Sequence, residues 1–173
     1  MTKKDLRKHM KDMRDSMDQA ILQKENKVIL SKLEKDPHFK SASLVAIFYP
    51  MGHEVNLMTL VGQRRIAFPK IINQALHFIE YEPMQTFAKS AFGVMEPTEG
   101  KIVDQDIDYM IVPALAISKS GYRIGYGKGY YDQFLSQVRP KHVVGVIYGF
   151  QEVETFEIQE HDQRLDTYYT GRL

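Results

Sequence analysis

Three continuous apolar runs constrain this chain more than any other feature: LVAIFY at 44–49, YMIVPALAI at 109–117 and HVVGVIY at 142–148. A strand with one wet face alternates apolar and polar residues. Unbroken runs of this kind fit strands buried on both faces, the condition of a parallel sheet covered by helices. Helical patterns lie between and before them. Leu6, Met10 and Met13 recur at helical spacing over 3–14, Ser16 followed by Gln19 reads as a capping box opening a second helix toward Leu33, and Asp36-Pro37 closes it. A short helix is expected over 55–61, strands over 65–68 and 76–81, and a further helix from near Tyr130. The pattern predicts an α/β fold with a mostly parallel central sheet and helices on both faces, a three-layer α/β/α arrangement whose ligands meet the loops beyond the carboxyl ends of strands. With 173 residues and no repeat, low-complexity stretch or linker, residues 1–173 are expected to form a single domain.

Charge and composition remove several function classes. The formal net charge of +1 gives no reason for wholesale binding to nucleic acid or to an anionic membrane. Cysteine is absent, which excludes disulfides, thiolate nucleophiles and zinc-thiolate sites and fits a reducing compartment. The charged start MTKKDLRKHM has no apolar core of a secretory signal, and no run approaches the roughly 20 apolar residues of a membrane span. A cytoplasmic monomer acting on small molecules is the expectation.

The chemistry concentrates in GYRIGYGKGYYDQFL, residues 121–135. Gly127-Lys128 is followed by Gly129 rather than Ser or Thr, so this is no Walker A loop. The glycines Gly125, Gly127 and Gly129 run G-x-G-x-G with no acid about 20 residues on, so it is no dinucleotide fingerprint either. The mechanism common to both motifs remains available: glycines admit close approach, successive N–H groups form a nest, and the following helix adds its positive end. Arg123 and Lys128 would bring full charges to the same phosphate. A plain turn with packed tyrosines is the competing reading, just as Asp132 reads either as a first-turn acid or as a Mg²⁺ ligand.

The segment Arg123-Ile124-Gly125-Tyr126-Gly127-Lys128-Gly129-Tyr130-Tyr131-Asp132 resembles the R-[LI]-G-x-G-x-G-Y-Y-D signature of 5-formyltetrahydrofolate cyclo-ligases, also called methenyltetrahydrofolate synthetases. The likeness extends to Lys3-x-x-x-Arg7, to Tyr49-Pro50-Met51-Gly52-His53-Glu54-Val55, to Phe92-Gly93-Val94-Met95-Glu96-Pro97 and to Glu160-His161-Asp162-Gln163-Arg164-Leu165-Asp166, in that order along the chain. It implies ATP- and Mg²⁺-dependent cyclisation of 5-formyltetrahydrofolate to 5,10-methenyltetrahydrofolate with release of ADP and phosphate. Where the family often reads P-G-L-A-F-D, this chain has Pro113-Ala114-Leu115-Ala116-Ile117-Ser118, which implies a different local loop shape.

The resemblance also distributes roles. It places Lys3, Arg7, Arg123, Lys128 and the backbone from Ile124 through Gly125, Tyr126, Gly127, Gly129 and Tyr130 to Tyr131 on ATP, with Arg123 and Lys128 as the catalytic cations. Asp132 and Asp162 would hold Mg²⁺, while His161 is read as structural and Asp166 as a cap or turn residue. Tyr49, Glu54 and Phe92 would meet folate. On the residues alone, Lys3 and Arg7 read equally as solvated charges on the helix face opposite the apolar stripe, Glu54 as a helix N-terminal acid, and the aromatics as core. Two other functions stay open: a different ATP-dependent phosphotransferase or ligase on the same scaffold, and a noncatalytic nucleotide- or RNA-binding module. The second is weakened by Asp5, Asp12, Asp15 and Asp18, which break up the basic N-terminal stretch.

Overall fold

A computed structural model describes residues 1–173. In chain order its elements are α1 (Lys3–Ser16), α2 (Gln19–Lys35), α3 (Pro37–Ser41), β1 (Leu44–Ala46), β2 (Arg65–Ile72), β3 (Ala75–Glu80), β4 (Phe87–Lys89), β5 (Met95–Pro97), β6 (Tyr109–Val112), β7 (Ala116–Ser118), β8 (Arg123–Ile124), α4 (Tyr130–Gln137), β9 (His142–Ile147), β10 (Glu152–Val153) and β11 (Thr167–Thr170). The main sheet has the order β11-β9-β6-β1-β2-β3, parallel throughout except for the antiparallel β2–β3 edge. Two small sheets, β10-β7-β8 and the hairpin β4-β5, stand beside it.

The apolar runs are continuous because the sheet is covered on both faces. Val45, Ile66, Phe68, Tyr109, Ile111, Val144 and Val146 pack with Leu22, Ile29 and Leu33 of α2 and Phe39 of α3. Their chain neighbours Leu44, Ala46, Ala67, Met110, Val112 and Val143 pack on the other side with Phe134 and Leu135 of α4. Strand periodicity puts successive residues on opposite faces, so both must be apolar when both faces are dry. The three-layer expectation is therefore met.

Several local expectations are corrected. Ser16 ends α1, its hydroxyl donating back to the Met13 carbonyl, and α2 is capped by Asp18, whose Oδ1 accepts from Ala20 N at 2.8 Å. The segment 55–61 contains only the 3₁₀ turn Met58–Leu60. Its N-cap, Leu57, offers no side-chain acceptor of the kind Asp36 gives the short α3, and Val55, Leu57 and Leu60 are instead buried individually in the core. The run 109–117 divides at Pro113, which lacks the N–H to continue the ladder: β6 stays in the main sheet and β7 joins the small one. Lys3 and Arg7 do not lie opposite the buried stripe. At 3.6 residues per turn they flank Leu6 and Met10, which pack on Leu115, Ala116 and Ile124.

Strand order reverses between β1 and β6, since the chain leaves β1 toward β2 on one side and later returns to β6 on the other. In an open parallel sheet the loops after two such strands diverge and leave a crevice.

Candidate functional site

That crevice holds a cavity of about 520 Å³. Phe48, Tyr49, Met51 and Glu54 reach it from the segment after β1, Pro113 from the end of β6, and the glycine loop from the segment between β8 and α4. α1 closes one side. Its start is fixed by a reciprocal cap, Thr2 Oγ1 accepting from Asp5 N at 3.1 Å and Asp5 Oδ2 accepting from Thr2 N at 3.4 Å. With the apolar flank of α1 held by Leu115 and Ile124, Lys3 and Arg7 face the cavity rather than solvent.

The glycine loop is shaped for close approach. Gly127 has φ +99°, which side chains rarely adopt, and a Cβ on Gly125 would strike the Arg123 guanidinium. Arg7 Nε donates to Gly125 O at 2.9 Å and Arg123 Nε to Pro113 O at 2.8 Å, so two cations are fixed against the main chain. Lys128 Nζ lies 5.5 Å from the Phe92 ring centre. From Gly125 to Asp132 no main-chain N–H donates to a protein acceptor, and Gly129, the N-cap of α4, has no side chain to cap it. A helix start and its approach loop thus present a run of amides with no partner in the protein.

Glu54 is almost fully buried, at 8% exposure. Its Oε1 accepts from Met51 N at 2.7 Å and its Oε2 from the Tyr126 hydroxyl at 3.0 Å, and that hydroxyl accepts from Arg14 at 2.8 Å. Burial raises its pKa above the ordinary carboxylate value, against the opposing pull of the Met51 N–H, Arg14, Tyr126 and Arg123. Since no α-helix follows, Glu54 is not a helix N-terminal acid; it closes the tight turn after β1.

The aromatics divide. Phe92, at the tip of the β4-β5 hairpin and 49% exposed, meets Tyr130 edge-on at 6.1 Å. Tyr49 packs against Phe68 and Phe87 while still lining the cavity. Tyr131 contacts Phe78 and lies 5.1 Å beneath the Arg123 guanidinium.

Two carboxylates reach the same space. Asp132 Oδ1 accepts from Gln163 N at 3.1 Å, and its other oxygen has no protein partner. Asp162 Oδ2 accepts from Lys3 Nζ at 2.9 Å and from Gln159 N at 2.8 Å. Burial pushes the Asp162 carboxyl up, but the Gln159 N–H and Lys3 outweigh it and hold it below the usual range. No group of three or more His, Asp or Glu gathers here. Two carboxylates fit a hard cation that takes one or two of them and completes its shell with phosphate oxygens and water. His161 lies beside Asp162 with its ring largely exposed, and Asp166 holds Val143 N at 2.7 Å, the turn role expected of it.

Every residue assigned from the sequence lines this one cavity: Lys3, Arg7, Tyr49, Glu54, Phe92, Asp162 and the continuous stretch from Arg123 to Asp132. Sequence reasoning missed Lys11 and Lys70, which also line it, and Arg14, which is buried behind it. The only signal for the two helical residues was their spacing from Arg7, four and seven places on.

Fold and cavity define a three-layer α/β protein with a cavity lined by cations and unpartnered main-chain amides at its strand-order reversal. Over residues 1–171 the chain matches the 5-formyltetrahydrofolate cyclo-ligase family, and it belongs to that family. It is 30% identical over 152 residues, 83% of this chain and 80% of the other, to the 5-formyltetrahydrofolate cyclo-ligase of Mycoplasma pneumoniae. Among solved structures it is similar to the Aquifex aeolicus 5,10-methenyltetrahydrofolate synthetase, with a TM-score of 0.88 and 32% identity, covering 100% of this chain and 91% of that one. The M. pneumoniae 5,10-methenyltetrahydrofolate synthetase gives 0.77 and 25%, with 97% and 98% coverage.

Proposed function

We propose that this chain converts 5-formyltetrahydrofolate to 5,10-methenyltetrahydrofolate at the expense of ATP, with residues 1–173 acting as one cyclo-ligase-like domain. The observation that carries the reading is the run of unpartnered main-chain amides from Gly125 to Asp132, flanked by Arg7, Arg123 and Lys128. Such amides recognise an oxyanion, and the cations Lys3, Arg7, Arg123 and Lys128 around the cavity suit the several charges of a triphosphate. An N-formyl oxygen is a poor leaving group. Transfer of the γ-phosphoryl group to that oxygen expels ADP, folate N10 then bonds to the formyl carbon, and the C–O bond breaks to release phosphate while the N10 proton passes to solvent. Phosphoryl transfer asks for alignment and charge neutralisation rather than a protein nucleophile.

Each side chain has a part in this. Lys3, Arg7, Arg123 and Lys128 neutralise phosphate oxygens, Glu54 accepts hydrogen bonds from folate N–H groups, and Phe92 and Tyr49 flank a flat ring. Asp132 and Asp162 would hold Mg²⁺, which when bound would supply positive charge to the phosphates. Lys3, paired with Asp162 at 2.9 Å, lines the same space and adds its own charge there. The same reading takes the chain as a cytoplasmic monomer with small-molecule partners only; no helix is long and apolar enough to cross a membrane.

Purified protein mixed with ATP, Mg²⁺ and 5-formyltetrahydrofolate should develop the near-ultraviolet absorbance of the methenyl product, with one ADP formed per product. Omission of ATP or of Mg²⁺ should abolish it. ATP hydrolysis that ignores the folate, or product formed without ATP, would sink the proposal.

A further inference from the structure

Arg14 is a buried cation with an incomplete set of partners. It is 4% exposed, it forms no direct ion pair with a carboxylate, and its Nε has no hydrogen-bond acceptor. Its single hydrogen bond goes to the Tyr126 hydroxyl, which in turn donates to Glu54. A hydroxyl carries one proton. With a guanidinium donating into its lone pair, that proton is committed to the carboxylate, so the chain Arg14–Tyr126–Glu54 has one direction only. Tyr126 also lies inside the glycine loop, and its main-chain N–H belongs to the amide run there.

We propose that Tyr126 is a positioning residue joining the two halves of the cavity, its backbone on the nucleotide side and its hydroxyl on the folate side. Seating of phosphate on the loop and binding of folate at Glu54 are therefore thermodynamically coupled. The proposal rests on the reading of the cavity as a nucleotide and folate site. A nucleotide that draws the amides of 125–129 onto its phosphates fixes the Tyr126 Cα, hence the hydroxyl, hence the Glu54 oxygen that folate must meet. Coupling is reciprocal: each ligand must raise the affinity of the other by the same factor.

Other groups around Glu54 do not duplicate this link. Arg123 on β8 is directed to the Pro113 carbonyl, Tyr131 lies under Arg123, Tyr148 after β9 forms no hydrogen bond to Glu54, and Met51 N belongs to Glu54's own turn. Removal of the hydroxyl leaves a buried carboxylate with one donor fewer and a buried guanidinium with no acceptor, and ties neither to the loop.

The test is calorimetric titration of the full chain with 5-formyltetrahydrofolate and with AMP-PNP plus Mg²⁺, each alone and each with the other present. In the wild type each should tighten the other by a common factor, about 5- to 150-fold by the usual scale of coupling. In Tyr126→Phe both should still bind while the factor falls toward one, and the acid limb of kcat/KM should move to higher pH as Glu54 loses a donor. Arg14→Met leaves the Tyr126–Glu54 hydrogen bond in place and only frees the hydroxyl to turn, so its factor should fall between those of the wild type and Tyr126→Phe, and Tyr126→Leu is a second hydroxyl-free variant should Tyr126→Phe fail to fold. An unchanged factor in a folded variant, or a factor of one in the wild type, overturns the link alone. A wild type that binds no 5-formyltetrahydrofolate overturns the parent reading.

Discussion

Glu54 shows how one residue carries opposed demands. Its carboxylate is nearly out of water, yet it keeps two hydrogen-bond donors and a nearby cation. Burial holds its folded-state pKa above the ordinary 4.5, so the native state binds more protons than the unfolded chain just above that pH. Stability from this group is greatest at low pH and declines as pH rises through the folded value. Glu54→Gln should therefore raise the melting temperature at pH 7 by a few degrees, the scale about 1 kcal/mol sets in a chain of this size, and flatten that decline. It should weaken 5-formyltetrahydrofolate binding tenfold or more while leaving AMP-PNP binding within about twofold. Thermal scans across pH and paired titrations check both parts; a variant that loses stability and keeps folate affinity would mark Glu54 as a turn residue only. In the sequence Glu54 was visible as an acid after a buried strand, but its tie to Arg14 was not, because α2, α3 and β1 lie between them.

At the scale of the element, the glycine loop works through backbone shape. Gly127 holds φ +99° with free space where a side chain would begin, the nearest atom being 3.6 Å away on Arg7. Gly127→Ala thus changes conformational strain with little steric conflict, at a cost of about 1–3 kcal/mol. The folded core does not depend on this loop, so the strain should relax by moving amides out of the cradle. The expected result is a KM for ATP raised roughly tenfold, with a melting temperature lowered by less than about 3 °C. Steady-state kinetics with a thermal scan measures it, and an unchanged KM would mean that the amide run is not where phosphate lies. The glycine spacing was legible in the chain because positive φ leaves a compositional mark. The small β10-β7-β8 sheet and the β4-β5 hairpin were not, since strands of two or three residues carry too short a pattern to separate from loop.

At the scale of the whole molecule, Asp36 ties layers together. It caps α3 through His38 N at 2.9 Å and accepts from the hydroxyls of Tyr109 on β6 at 2.7 Å and Tyr169 on β11 at 3.1 Å. Burial pushes its carboxyl up, but these donors outweigh it and hold it below 3.8. The native state then binds fewer protons than the unfolded chain in that range, so the contribution is complete above pH 3.8 and lost as pH falls through the folded value. Asp36→Asn should cost on the order of 2 kcal/mol at pH 7, and its difference from wild type in urea midpoint should shrink below pH 3.8. A difference independent of pH would remove the charge from the account. The sequence by itself determined the two-faced sheet, the helices around it and the glycine loop with its bared backbone, because burial on both faces and positive φ each restrict which residue types can stand in a row. Only tertiary structure decided that Lys3, Glu54, Phe92 and Asp162 share one cavity with Lys128, that Arg14 answers Glu54 through Tyr126, and that 55–61 is a buried turn. Those facts depend on where strand order reverses and on which surfaces α1 and the hairpin cover, which are contacts between distant segments that no local pattern encodes.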